Sequence, residues 1–235
     1  MGDACRLCGV GKTERSTEAK RTTINVAWVL GLLASQIAHA TSITFELNYE
    51  YSGAHPSGPP PWVVIEISDD AAGVKLKISN SGLTGTEFTR GIYLNVADSF
   101  VGTLQFGSPV KQGTFDEPTI QQSVDNCKAT GDGYFDILLE FETANNGGSR
   151  RFGAGESITY LVTSPVPGLD ATDFNLTSVW GDGDSYHAAA HIQGIRGNDS
   201  GWIGDKPPSV PDVGGTAGLL LMSMLGLGWV ARRKV

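Results

Sequence analysis

The chain has 235 residues, 25 acidic against 17 basic, and a formal charge of −8. That length allows one domain, two at most, with a core that needs no staples. The charge is uneven: Thr41 to Ser209 holds 21 Asp and Glu but 9 Lys and Arg, a net of −12. Such an acidic middle argues against nucleic acid, which rewards clustered cations, and against anionic lipid or polymer held by charge.

At the N-terminus, Arg15, Lys20 and Arg21 precede an apolar run from Ile24 to Ala38, and Ala38-His39-Ala40 closes it. A basic start, a short greasy core and small residues at −3 and −1 make up a secretory signal. Ala38 and Ala40 are the expected signal-peptidase site, with the cut before Thr41. Asn25, Ser35 and Gln36 dilute the run, which is short for a membrane span. Residues 1–40 are therefore read as extension and leader, and 41–209 as the folded domain. Cys5 and Cys8 fall in the leader, which leaves Cys127 alone in the domain and allows no disulfide within it.

Strict alternation starts at Thr44, where Phe45, Leu47, Tyr49 and Tyr51 share one face against Glu46, Asn48 and Glu50. Val63 to Ile67 is a continuous apolar run, suited to a strand covered on both faces. Val74, Leu76 and Ile78 then alternate with Lys75 and Lys77. Further strands are expected at Ile92–Val96, Phe135–Phe141 and Ile158–Val162, with weaker signals at Phe174–Val179 and Ala188–Ile192. Turn-forming clusters separate them, as at Asp70–Gly73, Asn80–Gly82 and Asn145–Gly148. Eight to ten strands without a helix predict an all-β domain, an antiparallel β-sandwich of jelly-roll type.

Few residues suggest chemistry. His187 and His191 are four apart, the zinc-binding spacing on a helix, but a strand would separate them by about 13 Å. They are read as ordinary strand residues, His187 at the start and His191 on a face. Gly181-Asp182-Gly183-Asp184 resembles part of a calcium loop, with Asp170 and Asp173 as further oxygen donors. The remaining positions of a calcium-binding helix-loop-helix are missing, so Asp182 and Asp184 are weak calcium candidates and no metal site is assigned. No nucleophile elbow or phosphate loop occurs, and neither a catalytic residue nor a cofactor is expected. Trp62, Trp180 and Trp202 are candidates to stack on sugar rings, although core packing is the commoner role of such residues.

The C-terminus carries a second apolar segment. Val213 to Ala231 contains no charge and would span roughly 28 Å as a helix, about the thickness of the hydrocarbon core. Arg232, Arg233 and Lys234 follow at once and should hold that end in the cytoplasm. Val210-Pro211-Asp212 and the Gly214-Gly215 pair keep the chain just before it extended and accessible.

Residues 210–235, VPDVGGTAGLLLMSMLGLGWVARRKV, resemble the PEP-CTERM group of bacterial sorting signals, most closely the VPDSG variant. Val213 and Gly215 stand where that variant commonly has Ser. The resemblance implies recognition by an exosortase at Val210, Pro211, Asp212, Gly214 and Gly215, with Arg232, Arg233 and Lys234 as the retention signal. More loosely, GIYLNV, RFGAGESITYLVT, AAAHIQGI and DSGWIGD resemble a domain of undefined activity that recurs ahead of such signals. The implied partners are signal peptidase and exosortase during export, the membrane before processing, and extracellular polysaccharide afterwards. The implied course runs from an inner-membrane intermediate to the surface or matrix of a Gram-negative-type bacterium. The expected function is that of a non-enzymatic surface structural or interaction protein; the alternative is a carbohydrate-binding or carbohydrate-active module.

Overall fold

A computed structural model describes residues 40–130, 133–144, 150–179 and 184–205. The signal-peptidase residue Ala38, the C-terminal sorting segment, Trp180, Asp182 and the Asn145–Gly148 turn lie outside the described residues. Among these residues twelve strands form: β1 Ser42–Gly53, β2 Val63–Asp70, β3 Gly73–Ser79, β4 Phe88–Leu94, β5 Gln105–Phe106, β6 Val110–Gln112, β7 Thr119–Ala129, β8 Gly133–Glu140, β9 Phe152–Gly153, β10 Ser157–Thr163, β11 Ala188–Ile195 and β12 Asp199–Asp205. They pair antiparallel in one path, β5-β10-β3-β2-β1-β12-β11-β4-β8-β7, with β6 added to β10 and β9 to β4. Helix among the described residues is confined to two short 3₁₀ turns, Asp98–Phe100 and Ala171–Phe174.

The expected apolar stripes become rows running across the sheet. Ile158, Ile78, Ile65 and Phe45 are successive partners from β10 to β1. In the other half Ile203, Ala190, Ile92, Leu139 and Ile120 form the matching row from β12 to β7. Both rows belong to one buried cluster, so the sheet curls until its two halves face each other. Each fully buried Ile or Leu contributes about 1.5–3 kcal/mol before entropic costs, so a one-residue slip of any strand would forfeit several at once. Strand β1 joins the halves: its first part, to Leu47, pairs with β2, and its second part with β12.

The curl is fastened by a buried amide. Asn80, just after β3, donates from Nδ2 to the carbonyls of Phe152 (2.9 Å) and Gly153 (3.1 Å), and its Oδ1 accepts from the Thr89 hydroxyl at 2.8 Å. Thus β3 in one half is bonded to β9 and β4 in the other.

Several expectations are corrected. Phe174–Val179 is not a strand; Asp170 and Asp173 form a capping box that starts the second 3₁₀ turn, and only Val179 makes an isolated bridge, to Tyr134. The strand expected at Ile92–Val96 begins earlier, at Phe88, and stops at Leu94. The β1 stripe is broken: Phe45 and Leu47 enter the main core, whereas Tyr51 packs in a second cluster on the outer face and Tyr49 stays exposed. Bulges between Leu47 and Tyr49 and between Glu50 and Ser52 cause the switch.

Replacing Asn80 by Ala removes this partner from the buried Phe152 carbonyl and Thr89 hydroxyl, and from the part-buried Gly153 carbonyl, which keeps its bond from the Glu156 N–H. Urea unfolding should show a loss of about 1–3 kcal/mol per group orphaned. A change within about 0.5 kcal/mol, the range of inert surface substitutions, would show that the seam does not depend on this residue.

Candidate ligand-binding groove

The outer face of the β12-β11-β4-β8-β7 half carries two adjoining cavities. Their basis is one row of cross-strand partners: Trp202, His191, Gly91, Glu140 and Thr119. A bulge shapes the centre of the row. His191 pairs with Gly91 and Ile192 with Thr89, so Arg90 is an extra residue on β4 and is exposed beside Gly91. Gly91 offers no side chain, and the shallow gap it leaves, partly closed by the Tyr93 ring and Leu138, forms part of the groove floor. A Cβ there would sit 3.1 Å from Tyr93 and 3.3 Å from Leu138.

On one side of that gap the His191 imidazole lies flat on the Trp202 indole, with centroids 4.5 Å apart and planes within 5°. Tyr93 leans on the same indole at 5.4 Å. These rings, Gly91, Lys128 and Leu138 enclose about 320 Å³. Beyond the Arg90–Glu140 ion pair (3.4 Å) the groove continues as a polar hollow of about 430 Å³. Its walls are Asp116, Glu117, Glu142 and Arg150, with Thr119 and Thr143. Arg90 and Glu140 line both parts and join them.

Electrostatics inside the groove are balanced locally. Arg150 pairs with Asp116 and lies 3.7 Å from Glu142. The backbone N–H groups of Ala144 and Thr143 donate to Glu142 and hold its carboxyl below the usual range, helped by Arg150. Burial, reinforced by the Arg90 charge, lowers the His191 pKa from its ordinary 6.5 to about 4, so the ring against Trp202 is neutral near pH 7. Under the rings, Cys127 is buried with Phe135 and Tyr93, and burial followed by the Asp136 charge raises its thiol to about 11. Such a thiol is unsuited to bridging another chain.

The other sequence candidates scatter. His187 does not join His191; its Nδ1 meets the buried Asp205 carboxylate at 2.7 Å, and its ring stacks on Phe45. Asp184 is exposed, Asp170 and Asp173 are occupied in the capping box, and Asp182 lies outside the described residues. Of the described tryptophans, Trp62 is a core residue donating to the Gly58 carbonyl at 2.7 Å, and Trp202 lines the groove. Sequence reasoning missed Arg90, Gly91, Tyr93 and Glu140, since nothing local marks the bulge that assembles them.

No protein-family model, curated protein or solved structure matches the chain. The groove is therefore interpreted from its own geometry.

The His191 shift has a consequence for stability. The unfolded ring takes up its proton near pH 6.5 and the folded one near pH 4, so unfolding binds protons in between and stability falls as pH drops through that window. His191→Phe keeps a ring on Trp202 and removes the titration. Urea midpoints measured from pH 7 to pH 4.5 should fall less steeply in the variant; parallel curves would contradict the linkage.

Proposed function

We propose that the chain is an exported, surface-held binding protein whose outer groove takes extracellular polysaccharide without cleaving it. In this reading the curled sheet is a jelly-roll-like β-sandwich, residues 1–40 are removed after Ala40, and residues 210–235 form the sorting signal an exosortase processes. The observation that carries the binding role is the cross-strand row. It sets an indole–imidazole stack beside the gap over Gly91 and the Arg90–Glu140 pair. The apolar surface of this ring cluster suits the C–H groups of a sugar, and the charged partners beside it suit its hydroxyls.

Binding without cleavage is supported by the state of the carboxylates. Glycoside hydrolysis needs one carboxyl kept protonated opposite one kept ionised. Here Glu140 and Asp116 are ion-paired, and Glu142 is pushed toward the ionised form. Export and C-terminal processing are supported by the resemblance of Val210–Val235 to known sorting signals.

Affinity electrophoresis and calorimetry against soluble glycans should show saturable binding with no new reducing ends. Trp202→Phe should weaken it modestly, whereas Gly91→Val, which fills the groove floor, should weaken it tenfold or more, about 1.4 kcal/mol. Turnover, or binding indifferent to Gly91→Val, would contradict this role. Separately, mass spectrometry of the surface protein should find a C-terminus between Val210 and Gly215; an intact Val235 would remove the sorting claim and leave the groove untouched.

A further inference from the structure

We infer that the glycan accepted by this groove is uncharged and lies across the strands; this deepens the binding reading above and rests on it. The direction follows from the row itself. Trp202 to Thr119 spans five adjacent strands, about 19 Å at 4.8 Å per step, so the site suits an oligomeric stretch of chain rather than a single sugar.

The class follows from the charges. The walls carry three cations, Arg90, Lys128 and Arg150, against four carboxylates, Asp116, Glu117, Glu140 and Glu142. Nearly all are satisfied within the protein. Arg90 meets Glu140, Arg150 meets both Asp116 and Glu142, and Lys111 approaches Glu117 at 4.0 Å. Lys128 sits over the Tyr134 ring at 5.5 Å. A uronate polymer would bring its carboxylates against Glu140 and Glu142. A polyamine glycan would bring its ammonium groups against Arg90, at the centre. Either also competes with a partner already in place, since Arg90 and Arg150 each share a carboxylate and Lys128 rests on an aromatic ring. Hydroxyls need not compete: they donate to the outer lone pairs of the carboxylates and accept from the remaining guanidinium N–H groups while the pairs stay closed. The neutral His191–Trp202 stack then supplies the apolar contact without adding a field.

The test uses the full-length protein in mild detergent with three probes: a neutral soluble glucan, alginate and chitosan. Raising salt from about 0.1 M to about 1 M shortens the screening length from about 10 Å to about 3 Å. The glucan should be retained with its Kd changed less than about twofold over that range, while alginate and chitosan bind at least tenfold more weakly. Glu140→Gln provides an internal control, because it releases Arg90 from its partner; this variant should gain alginate binding that disappears at high salt. Alginate or chitosan bound preferentially by the unaltered protein, in a salt-sensitive way and lost in Gly91→Val, would overturn the uncharged class while keeping the groove. Retention of none of the three would overturn the binding reading as well.

Discussion

Side chains along a β-strand alternate between faces, so one extra residue on one partner transfers whatever follows to the other side. This domain depends on that constraint in two strands. In β1 the insertion before Tyr49 ends the contribution of that strand to the main core and sends its tyrosines outward, where Tyr51 stacks on Tyr186 at 5.1 Å. In β4 the insertion of Arg90 leaves Ile92 and Leu94 in the core but sets a guanidinium and a bare glycine side by side on the outer face. Without the first, Tyr49 and Tyr51 would continue the inward stripe of Phe45 and Leu47. Without the second, there would be neither a groove floor nor an Arg90–Glu140 clamp across it.

The two faces solve different packing problems. Inside, rows of Ile, Leu and Phe fill the space between the curled halves, and Asn80 fastens the seam. Outside, each large ring is matched to a small neighbour. Tyr93 lies beside Ala189 and Gly204 in one row, Trp202 and His191 beside Gly91 in the next. A Cβ on Gly204 would come within 2.6 Å of the Tyr186 ring, so that glycine is what lets the tyrosines lie against the sheet. Large rings seated in such gaps lose little freedom when a ligand arrives, which favours a preformed site.

The strands were legible wherever an apolar stripe alternates with charge, as in Val74–Ile78 or Ile158–Val162. They were illegible where burial is not what holds them. The β7 sequence TIQQSVDNCKA has no stripe, because the strand lies at the end of the path and its first half sends only Ile120 toward the core. The β12 sequence DSGWIGD looks like turn material; its glycines are there to accommodate Ala54 and Tyr186 across the sheet. The Phe174–Val179 segment has strand propensity, but the local capping box at Asp170 decides its start. For the groove, Trp202 was visible as an aromatic with a polar setting. Its partners come from four other strands, brought to one row by register and a bulge, and no window of sequence contains that information.

The proposal that the outer face, not the core, meets the ligand is tested most directly through the indole N–H resonances of the tryptophans during titration with a neutral oligosaccharide. Trp202 lies in the groove, whereas Trp62 is 7 % exposed and hydrogen-bonded inside the protein. The account predicts saturable movement of the Trp202 signal with Trp62 stationary. Movement of Trp62 with Trp202 unchanged, or no movement of either at saturating sugar, would contradict it.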